Sequence, residues 1–279
     1  MNAPRGSLKA HCFLTLAFNF FLLPPPPQQY HIQMNTLRSL QLTPGVEAVV
    51  FSKDAAVKEA VDAQHLGVEV VSDFAVNPHG TPFLKSMFQH VEHHSASKMF
   101  GYTNGDLLFC DELVHTLKSI LKAVEDGKLS KRVLVVGKRY NYLMPSTFSA
   151  QHEVFIHAMR PRSKPFQDDA EDYFIILPGT FNWDKIPNFV VGRPAYDNWL
   201  VDHSFHDGID SVDISATLHA IHQTGVDGNK AGHVPRVDKD WNVRLGRNQY
   251  DHGFLSACLY ETKPKGADIV VGDRRYIQR

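Results

Sequence analysis

The sequence predicts an α/β protein built on a single doubly wound, mostly parallel sheet. Two observations lead to this prediction. Short runs of apolar, β-branched residues such as Val46–Phe51 recur along the first half of the chain, and stretches of helical period separate them. The runs are apolar at nearly every position, as expected for strands that helices cover on both faces of a sheet.

The first apolar run, residues 13–21, is open to two interpretations. It is too short to span a membrane, and prolines 24–27 follow it where a signal peptide would have small residues for cleavage. No Asn-x-Ser/Thr glycosylation acceptor occurs in the chain. We therefore predict a strand of the main sheet, followed by a proline-rich loop, in a cytoplasmic protein with no clear transmembrane span. The alternative is that residues 11–23 are the remnant of a signal anchor, which would place the protein in the Golgi or the endoplasmic reticulum.

Helices and strands are then predicted to alternate as far as Val136. The predicted helices cover residues 33–42, 54–64, 82–91 and 111–124, and the predicted strands cover residues 46–51, 68–71, 98–104 and 132–136. Asp54 is suited to capping the helix that follows it, and Gly127 is suited to ending the last of these helices.

The alternation is predicted to stop after Val136. Residues 138–170 are polar and rich in proline, arginine and lysine, which indicates a mobile lid or an ordinary long insertion. Strands are predicted at 171–177, 189–191 and 212–214, and helical segments at 196–203 and 216–222. We expect an N-terminal tail (1–12), a main domain (13–228) and a loop-rich C-terminal extension (229–279) packed on that domain.

Composition and charge exclude several classes of function. Lys and Arg number 29 against 30 Asp and Glu, which leaves a formal net charge of -1, and no basic run stands out, so we expect no nucleic-acid partner. The 3 cysteines are too few and too dispersed for a disulfide framework or a thiolate metal site. A chain of 279 residues that is 43% hydrophobic can bury a substantial core.

The strongest candidate site is the elbow Asn104-Gly105-Asp106, which follows an apolar strand. Glycine permits a sharp turn there and leaves room for a ligand to approach the main chain. Ligands of open α/β sheets bind at the carboxyl ends of the strands, so Asp106 is placed to bind a divalent cation that carries a diphosphate. The alternative is a hairpin turn in which Asp106 only caps the next helix.

A second candidate centre is the segment from Gly192 to Trp199. Gly192 lets the backbone pass close to a ligand, and Arg193 offers a forked donor suited to phosphate or carboxylate. Asp197 lies at the start of a predicted helix. It is either an acid that faces a ligand or a helix cap, with Trp199 filling the core.

The order of these segments resembles the GT-A fold of the nucleotide-diphospho-sugar glycosyltransferases. The resemblance covers residues 33–223 and rests on five motifs: Gly80-Thr-Pro-Phe-Leu84, Tyr102-Thr-Asn-Gly-Asp106, Asp172-Tyr-Phe174, Gly192-Arg-Pro-Ala-Tyr-Asp-Asn-Trp-Leu200 and His219-Ala-Ile-His-Gln223. It implies an inverting, metal-assisted transfer of a sugar from a nucleotide-diphosphate donor to the hydroxyl group of an unknown acceptor.

The resemblance also implies roles for the residues of the elbow. Asn104-Gly105-Asp106 stands where these enzymes have an Asp-x-Asp motif that binds the metal, Mn²⁺ or Mg²⁺, and the diphosphate. Asp106 keeps the position of a metal ligand. Asn104 replaces an acid, which weakens metal binding, but it could still hydrogen-bond a sugar or a ribose together with Gly105. His222 best matches a histidine that the C-terminal half of such folds contributes to the metal, and His219 is the second choice.

In the second centre, the resemblance implies that Asp197 is the general base that removes the proton from the acceptor hydroxyl. Arg193, Asn198 and Trp199 are then expected to bind the substrate. A non-catalytic protein that binds nucleotide sugars or sugars on the same fold is the alternative. A nucleotidyltransferase is a third interpretation, but no glycine-rich, lysine-bearing phosphate loop occurs near the N-terminus.

Overall fold

Helices and strands alternate along most of the chain. A computed structural model describes residues 13–19, 27–144, 153–225, 228–229, 231–247 and 250–274. The helices are α1 (Pro27–Leu42), α2 (Ala55–Asp62), α3 (Leu84–His94), α4 (Glu112–Glu125), α5 (Glu153–Met159), α6 (Tyr196–His206) and α7 (Trp241–Gly246). The strands are β1 (Leu14–Asn19), β2 (Val46–Phe51), β3 (Glu69–Val71), β4 (Met99–Thr103), β5 (Leu107–Leu108), β6 (Val133–Val136), β7 (Arg139–Leu143), β8 (Lys164–Pro165), β9 (Tyr173–Ile176), β10 (Asp210–Asp213), β11 (Ala220–Thr224), β12 (Tyr260–Lys265) and β13 (Asp268–Asp273).

Within the described residues, nine strands form the main sheet, in the order β13-β12-β10-β6-β9-β4-β1-β2-β3. β9 runs antiparallel to both of its neighbours, β4 and β6, and β12 and β13 form an antiparallel hairpin at one edge. The other neighbouring pairs are parallel. The prediction of an α/β fold with a mostly parallel sheet is confirmed.

The core lies on both faces of this sheet. Along β6, Val133 and Val135 belong to the cluster on one face, while Leu134 and Val136 belong to the cluster on the other face. Helices α1, α2 and α4 contribute to the first cluster, and α3 and α6 contribute to the second. Because successive side chains of a strand point to opposite faces, burial on both faces explains why strands such as β2 and β6 are apolar at nearly every position.

The first predicted strand is confirmed over residues 14–19. β1 lies between β2 and β4, is parallel to both, and is the third strand from the β3 edge of the sheet. The predicted positions 20 and 21, the N-terminal tail and most of the proline-rich loop fall outside the described residues. Helix α1 begins at Pro27, earlier than predicted. None of the helices in the described part of the chain combines the length and the apolar character needed to cross a membrane.

A second sheet of four strands, in the order β5-β11-β7-β8, corrects two predictions. Residues 138–170, predicted as an insertion or a lid, contain β7, β8 and α5. Residues 216–222, predicted as a helical turn, include the start of β11, which pairs with β7 and β5. β7 is only half-buried, and β11 carries polar residues, so neither strand has the apolar pattern that reveals a strand in the sequence.

The C-terminal part of the chain also differs from the prediction. Residues 260–273, predicted as part of a loop-rich extension, form β12 and β13, and β12 pairs with β10 in the main sheet. The turn between these two strands contains Gly266 at φ +63°, in the left-handed region that favours glycine. Conversely, the predicted strand at 189–191 makes only one bridge, between Val190 and Phe83.

Candidate active site

A cavity of about 1180 Å³ opens beside the carboxyl end of β4. Its lining includes the elbow residues 104–106, the segment 191–198 that leads into α6, and part of the segment 250–254. β9 runs antiparallel to β4, with Thr103 opposite Tyr173, so the residues that precede β9 lie beside the elbow. The topology of the sheet therefore brings Asp172 to the same edge as Asp106.

Asn104 holds the elbow in place through both ends of its side-chain amide. Its Nδ2 donates to Asp172 Oδ1 at 2.6 Å, and its Oδ1 accepts from the hydroxyl groups of Tyr102 at 2.9 Å and Tyr196 at 3.4 Å. The backbone N–H of Asn104 also donates to the carbonyl of Asp172 at 2.8 Å. Asn104 lines the cavity, as does Gly105, but its amide is engaged by the protein itself. An aspartate at this position would lack the amide N–H that donates to Asp172.

Asp106 and His222 form a pair on the cavity wall. His222 Nε2 lies 3.2 Å from Asp106 Oδ2, while Asp106 Oδ1 is buried without a hydrogen-bond partner. Burial alone would raise the pKa of Asp106, but the charges of His222 and Arg139 outweigh it and lower the pKa. The pair forms because β11 runs antiparallel to β5, with His222 opposite Leu107. The second sheet thus brings together the two residues that the sequence predicted as metal ligands.

Arg139 and Asp172 form a buried ion pair next to the elbow. Arg139 Nη1 donates to Asp172 Oδ2 at 2.5 Å, and Nη2 donates to the carbonyl of Asn229 at 2.8 Å. Burial raises the pKa of Asp172 in spite of the neighbouring guanidinium. Arg139 is not evident as a site residue in the sequence, because it lies in the segment 138–170, which was predicted as an insertion or a lid.

Asp197 faces the cavity from the first turn of α6. Its Oδ1 atom is buried and has no hydrogen-bond partner. Burial raises the pKa of Asp197 to about 7, against the opposing effect of the Asn198 backbone N–H and with a further contribution from Asp172. A carboxyl group with this pKa exchanges protons near neutral pH, as a general base must.

Glu171 is a buried acid that interacts with the charge of Asp197 and is not evident as a site residue in the sequence. Its side chain is completely buried, and neither carboxylate oxygen has a hydrogen-bond partner. Burial and the nearby charge of Asp197 raise the pKa of Glu171 well above its ordinary value. Two acids in a row at the start of the strand predicted at 171–177 are the only sequence signal for it.

Arg193 lines the cavity, but its guanidinium is bound by neighbouring residues. Nε donates to Asp238 Oδ1 at 2.7 Å, Nη2 to Thr81 Oγ1 at 3.3 Å, and Nη1 to the carbonyl of Gly192 at 2.9 Å. Burial would raise the pKa of Asp238, but hydrogen bonds from Arg193, Thr81 and Asn77 hold the pKa well below its usual range. Arg193 thus fixes the cavity wall through a buried ion pair.

The remaining predicted residues differ in where they lie. Asn198 lines the cavity, and its Nδ2 donates to the carbonyl groups of Gly253 at 2.8 Å and Asp169 at 3.0 Å. Trp199 does not line the cavity: it is buried against Phe189 and stacks on His203, so its expected contact with substrate is corrected to a place in the core.

His219, the second choice of metal ligand, also lies away from the cavity. Its ring stacks on Tyr140 at 3.6 Å, and its Nε2 is 2.7 Å from Ser163 Oγ. Burial lowers the pKa of His219 to about 4.

Comparisons with known proteins identify the fold. No protein-family model and no curated protein matches the chain in sequence. GalNAc-T7, solved with UDP, GalNAc and Mn²⁺, has a similar structure over 88% of this chain and 50% of its own, at 9% identity and a TM-score of 0.50. The protein has a GT-A-like fold. This chain therefore spans about half the length of that GT-A-like neighbour.

Two other solved structures are similar to this protein, at lower TM-scores. A CMP:2-keto-3-deoxy-manno-octonic acid synthetase complexed with CTP matches 77% of this chain and 90% of its own, at 14% identity and a TM-score of 0.41. A mycobacterial protein matches 95% of this chain and 84% of its own, at 15% identity and a TM-score of 0.42.

Proposed function

We propose that the protein is a glycosyltransferase that moves a sugar from a nucleotide-diphosphate donor to an acceptor hydroxyl, with inversion at the anomeric carbon. The observation that carries the proposal is the pair Asp106 and His222 in the cavity at the carboxyl end of β4, with one carboxylate oxygen unpartnered. Nucleotide ligands of open α/β sheets bind at this edge. The GT-A-like fold, shared with a neighbour solved with UDP, GalNAc and Mn²⁺, supports the same function.

The pair fits a divalent cation, Mn²⁺ or Mg²⁺. An unpartnered buried oxygen such as Asp106 Oδ1 costs about 1–3 kcal/mol unless a ligand satisfies it. His222 is held from its other side, because Nδ1 lies 3.2 Å from Thr224 Oγ1, which leaves Nε2 facing Asp106. A cation held by Asp106 and His222 would neutralise the charge that develops on the leaving diphosphate.

Other residues of the cavity are proposed to position the donor. Gln33 lines the cavity with a buried Oε1 that has no hydrogen-bond partner, so it can accept a hydrogen bond from a base or a ribose hydroxyl. Arg139 holds Asp172, and Asp172 in turn holds Asn104, which keeps the elbow and Asp106 in a single orientation. This network preorganises the binding site before the donor arrives.

Asp197 is proposed as the general base. As the acceptor oxygen forms a bond to the anomeric carbon, the bond from that carbon to the diphosphate breaks, and Asp197 takes the proton of the acceptor hydroxyl. The raised pKa, about 7, makes the carboxylate basic enough for this step once it has ionised. Such catalysis is worth on the order of a hundredfold or more in rate.

The test measures donor binding and turnover separately. Nucleotide sugars should raise the melting temperature in a thermal-shift panel, and the rise should require Mn²⁺. Asp106→Asn should abolish this rise. Asp197→Asn should keep it and should lower turnover about a hundredfold or more. Asp73→Asn is the control, because Asp73 is an exposed acid that does not line the cavity, and this variant should keep both donor binding and turnover.

Two outcomes would contradict the proposal. If no nucleotide sugar changes the melting temperature, the cavity does not bind such donors. If donors bind but neither hydrolysis nor transfer occurs, the protein is a non-catalytic binder of nucleotide sugars. The engaged side chain of Asn104, which leaves one acid in the elbow, is the observation that favours this second function.

A further inference from the structure

A second group of metal-binding side chains lies outside the cavity, between α6 and the segment 250–254. Asp202 and His206 are one turn apart on α6, and His252 comes from the segment. One ligand atom from each residue lies within 4.8 Å of the others. The Asp202 side chain is buried, whereas the His206 side chain is 61% exposed, so an ion could enter from solvent.

The distances within this group suit metal ligands better than hydrogen bonds. His206 Nε2 lies 3.6 Å from Asp202 Oδ2, and His252 Nδ1 lies 3.5 Å from Asp202 Oδ1. An N–H···O hydrogen bond spans about 2.7–3.2 Å, so both contacts are too long. Around a tetrahedral Zn²⁺ with bonds of about 2.0–2.2 Å, neighbouring ligand atoms lie about 3.3–3.6 Å apart. Each imidazole nitrogen lies at such a distance from one Asp202 oxygen, and the two nitrogens face different oxygens of the carboxylate.

The environment of His252 supplies an independent observation. Its Nδ1 is buried and has no hydrogen-bond partner. The backbone N–H of His252 donates to Asp202 Oδ1 at 2.8 Å, and the ring stacks on Phe205 with the centroids 3.9 Å apart. These contacts hold the ring with an unsatisfied nitrogen directed at the carboxylate, which is how surrounding contacts orient a metal-binding histidine.

We propose that Asp202, His206 and His252 bind one Zn²⁺ ion, with water completing its coordination. Two imidazoles and one carboxylate suit Zn²⁺, whereas Mg²⁺ and Mn²⁺ prefer oxygen ligands. Tyr250, Gly253 and Phe254 beside His252 line the cavity. The ion would therefore fasten one wall of the cavity to α6 without taking part in the chemistry at Asp106.

The test uses the full chain and its Asp106→Asn variant, so that binding at the cavity pair is counted separately. After zinc loading and gel filtration, elemental analysis should find one zinc per chain in the Asp106→Asn protein. His206→Ala should weaken zinc binding about tenfold or more. His115→Ala, at an exposed histidine of α4, should leave it unchanged. Zinc should also slow amide exchange in residues 250–254.

Because His206 is exposed, its replacement should leave the fold intact, and an unchanged melting temperature without metal would verify this. The proposal is overturned if the Asp106→Asn protein retains no zinc, or if His206→Ala retains zinc as tightly as His115→Ala. Cobalt substitution adds a further check. A thiolate-to-cobalt absorption band would place the ion instead at Cys110, which lies near Asp111 and His157 in another group of three ligands.

Discussion

The burial of Asp197 has a consequence for stability that can be measured without a substrate. Burial raises the pKa of this carboxyl group to about 7 from its ordinary value of 3.8. Between these two values the folded protein keeps a proton that the unfolded chain has released, so the free energy of unfolding falls as the pH rises. The group is therefore destabilising above pH 7, where the folded carboxyl group also ionises.

The loss in the free energy of unfolding can be calculated for the part of this interval that lies between pH 5 and pH 7. Two pH units correspond to about 3 kcal/mol for a carboxylate fully removed from water. Solvent that reaches the group through the cavity reduces this to about 1–2 kcal/mol. For a chain of this size, 1 kcal/mol shifts the melting temperature by about 2–4 °C. We therefore expect a shift of about 3–6 °C that is due to Asp197 alone.

The assay compares Asp197→Asn with the wild type in melting experiments at pH 5 and pH 8. Asparagine keeps the shape of the side chain but does not ionise, so the melting temperature of the variant relative to wild type should rise by about 3–6 °C between these pH values. Asp73→Asn is the control, because Asp73 is exposed and does not line the cavity, so its difference from wild type should be constant. If the Asp197→Asn difference is equally constant, the carboxyl group is not held neutral and the argument for a base at this position fails.

Three further substitutions test the packing of the site and the sheet. Arg193→Ala leaves Asp238 buried without its partner and should lower the free energy of unfolding in urea by about 3–5 kcal/mol; a loss below about 1 kcal/mol would mean that water replaces the guanidinium. Asn104→Asp puts a second carboxylate at the atom that now donates to Asp172 over 2.6 Å, so it should lower the melting temperature at pH 8 without tightening Mn²⁺ binding. Tighter binding would show that the elbow tolerates two acids. Gly101→Ala places a Cβ 2.1 Å from a backbone oxygen of β9 and should abolish soluble expression, whereas a soluble, folded variant would mean that β4 and β9 can separate.

The sequence by itself determined the central part of the sheet. β2 and β6 are apolar at nearly every position because both of their faces are covered, and this pattern is visible without knowing what covers them. Residues that cap helices or form turns could also be predicted from the sequence. Asp54 caps α2 through a hydrogen bond from Ala56 N at 2.9 Å, as its type and position predicted. The elbow at residues 104–106 also follows from local sequence, because a polar turn ends an apolar strand.

Only the tertiary structure decided which side chains share the site. The pairing of β5 with β11 brings His222 to Asp106, and nothing in the local pattern around either residue specifies that pairing. The sequence suggests that the side chains of Arg193 and Asn104 are available to bind a ligand. In the structure, both donate hydrogen bonds to acids that are distant in the sequence.

Strands β7 and β11 of the second sheet could not be predicted either, because their polar side chains depend on partners that are distant in the sequence. Gln223 in β11 is buried, and its amide binds Ile32 O and Thr36 Oγ1 of α1, far away in the chain. Apolar burial leaves a periodic pattern in the sequence, because it depends on which face of an element a residue occupies. The satisfaction of a buried polar group depends on one particular partner, and the fold alone places that partner within reach.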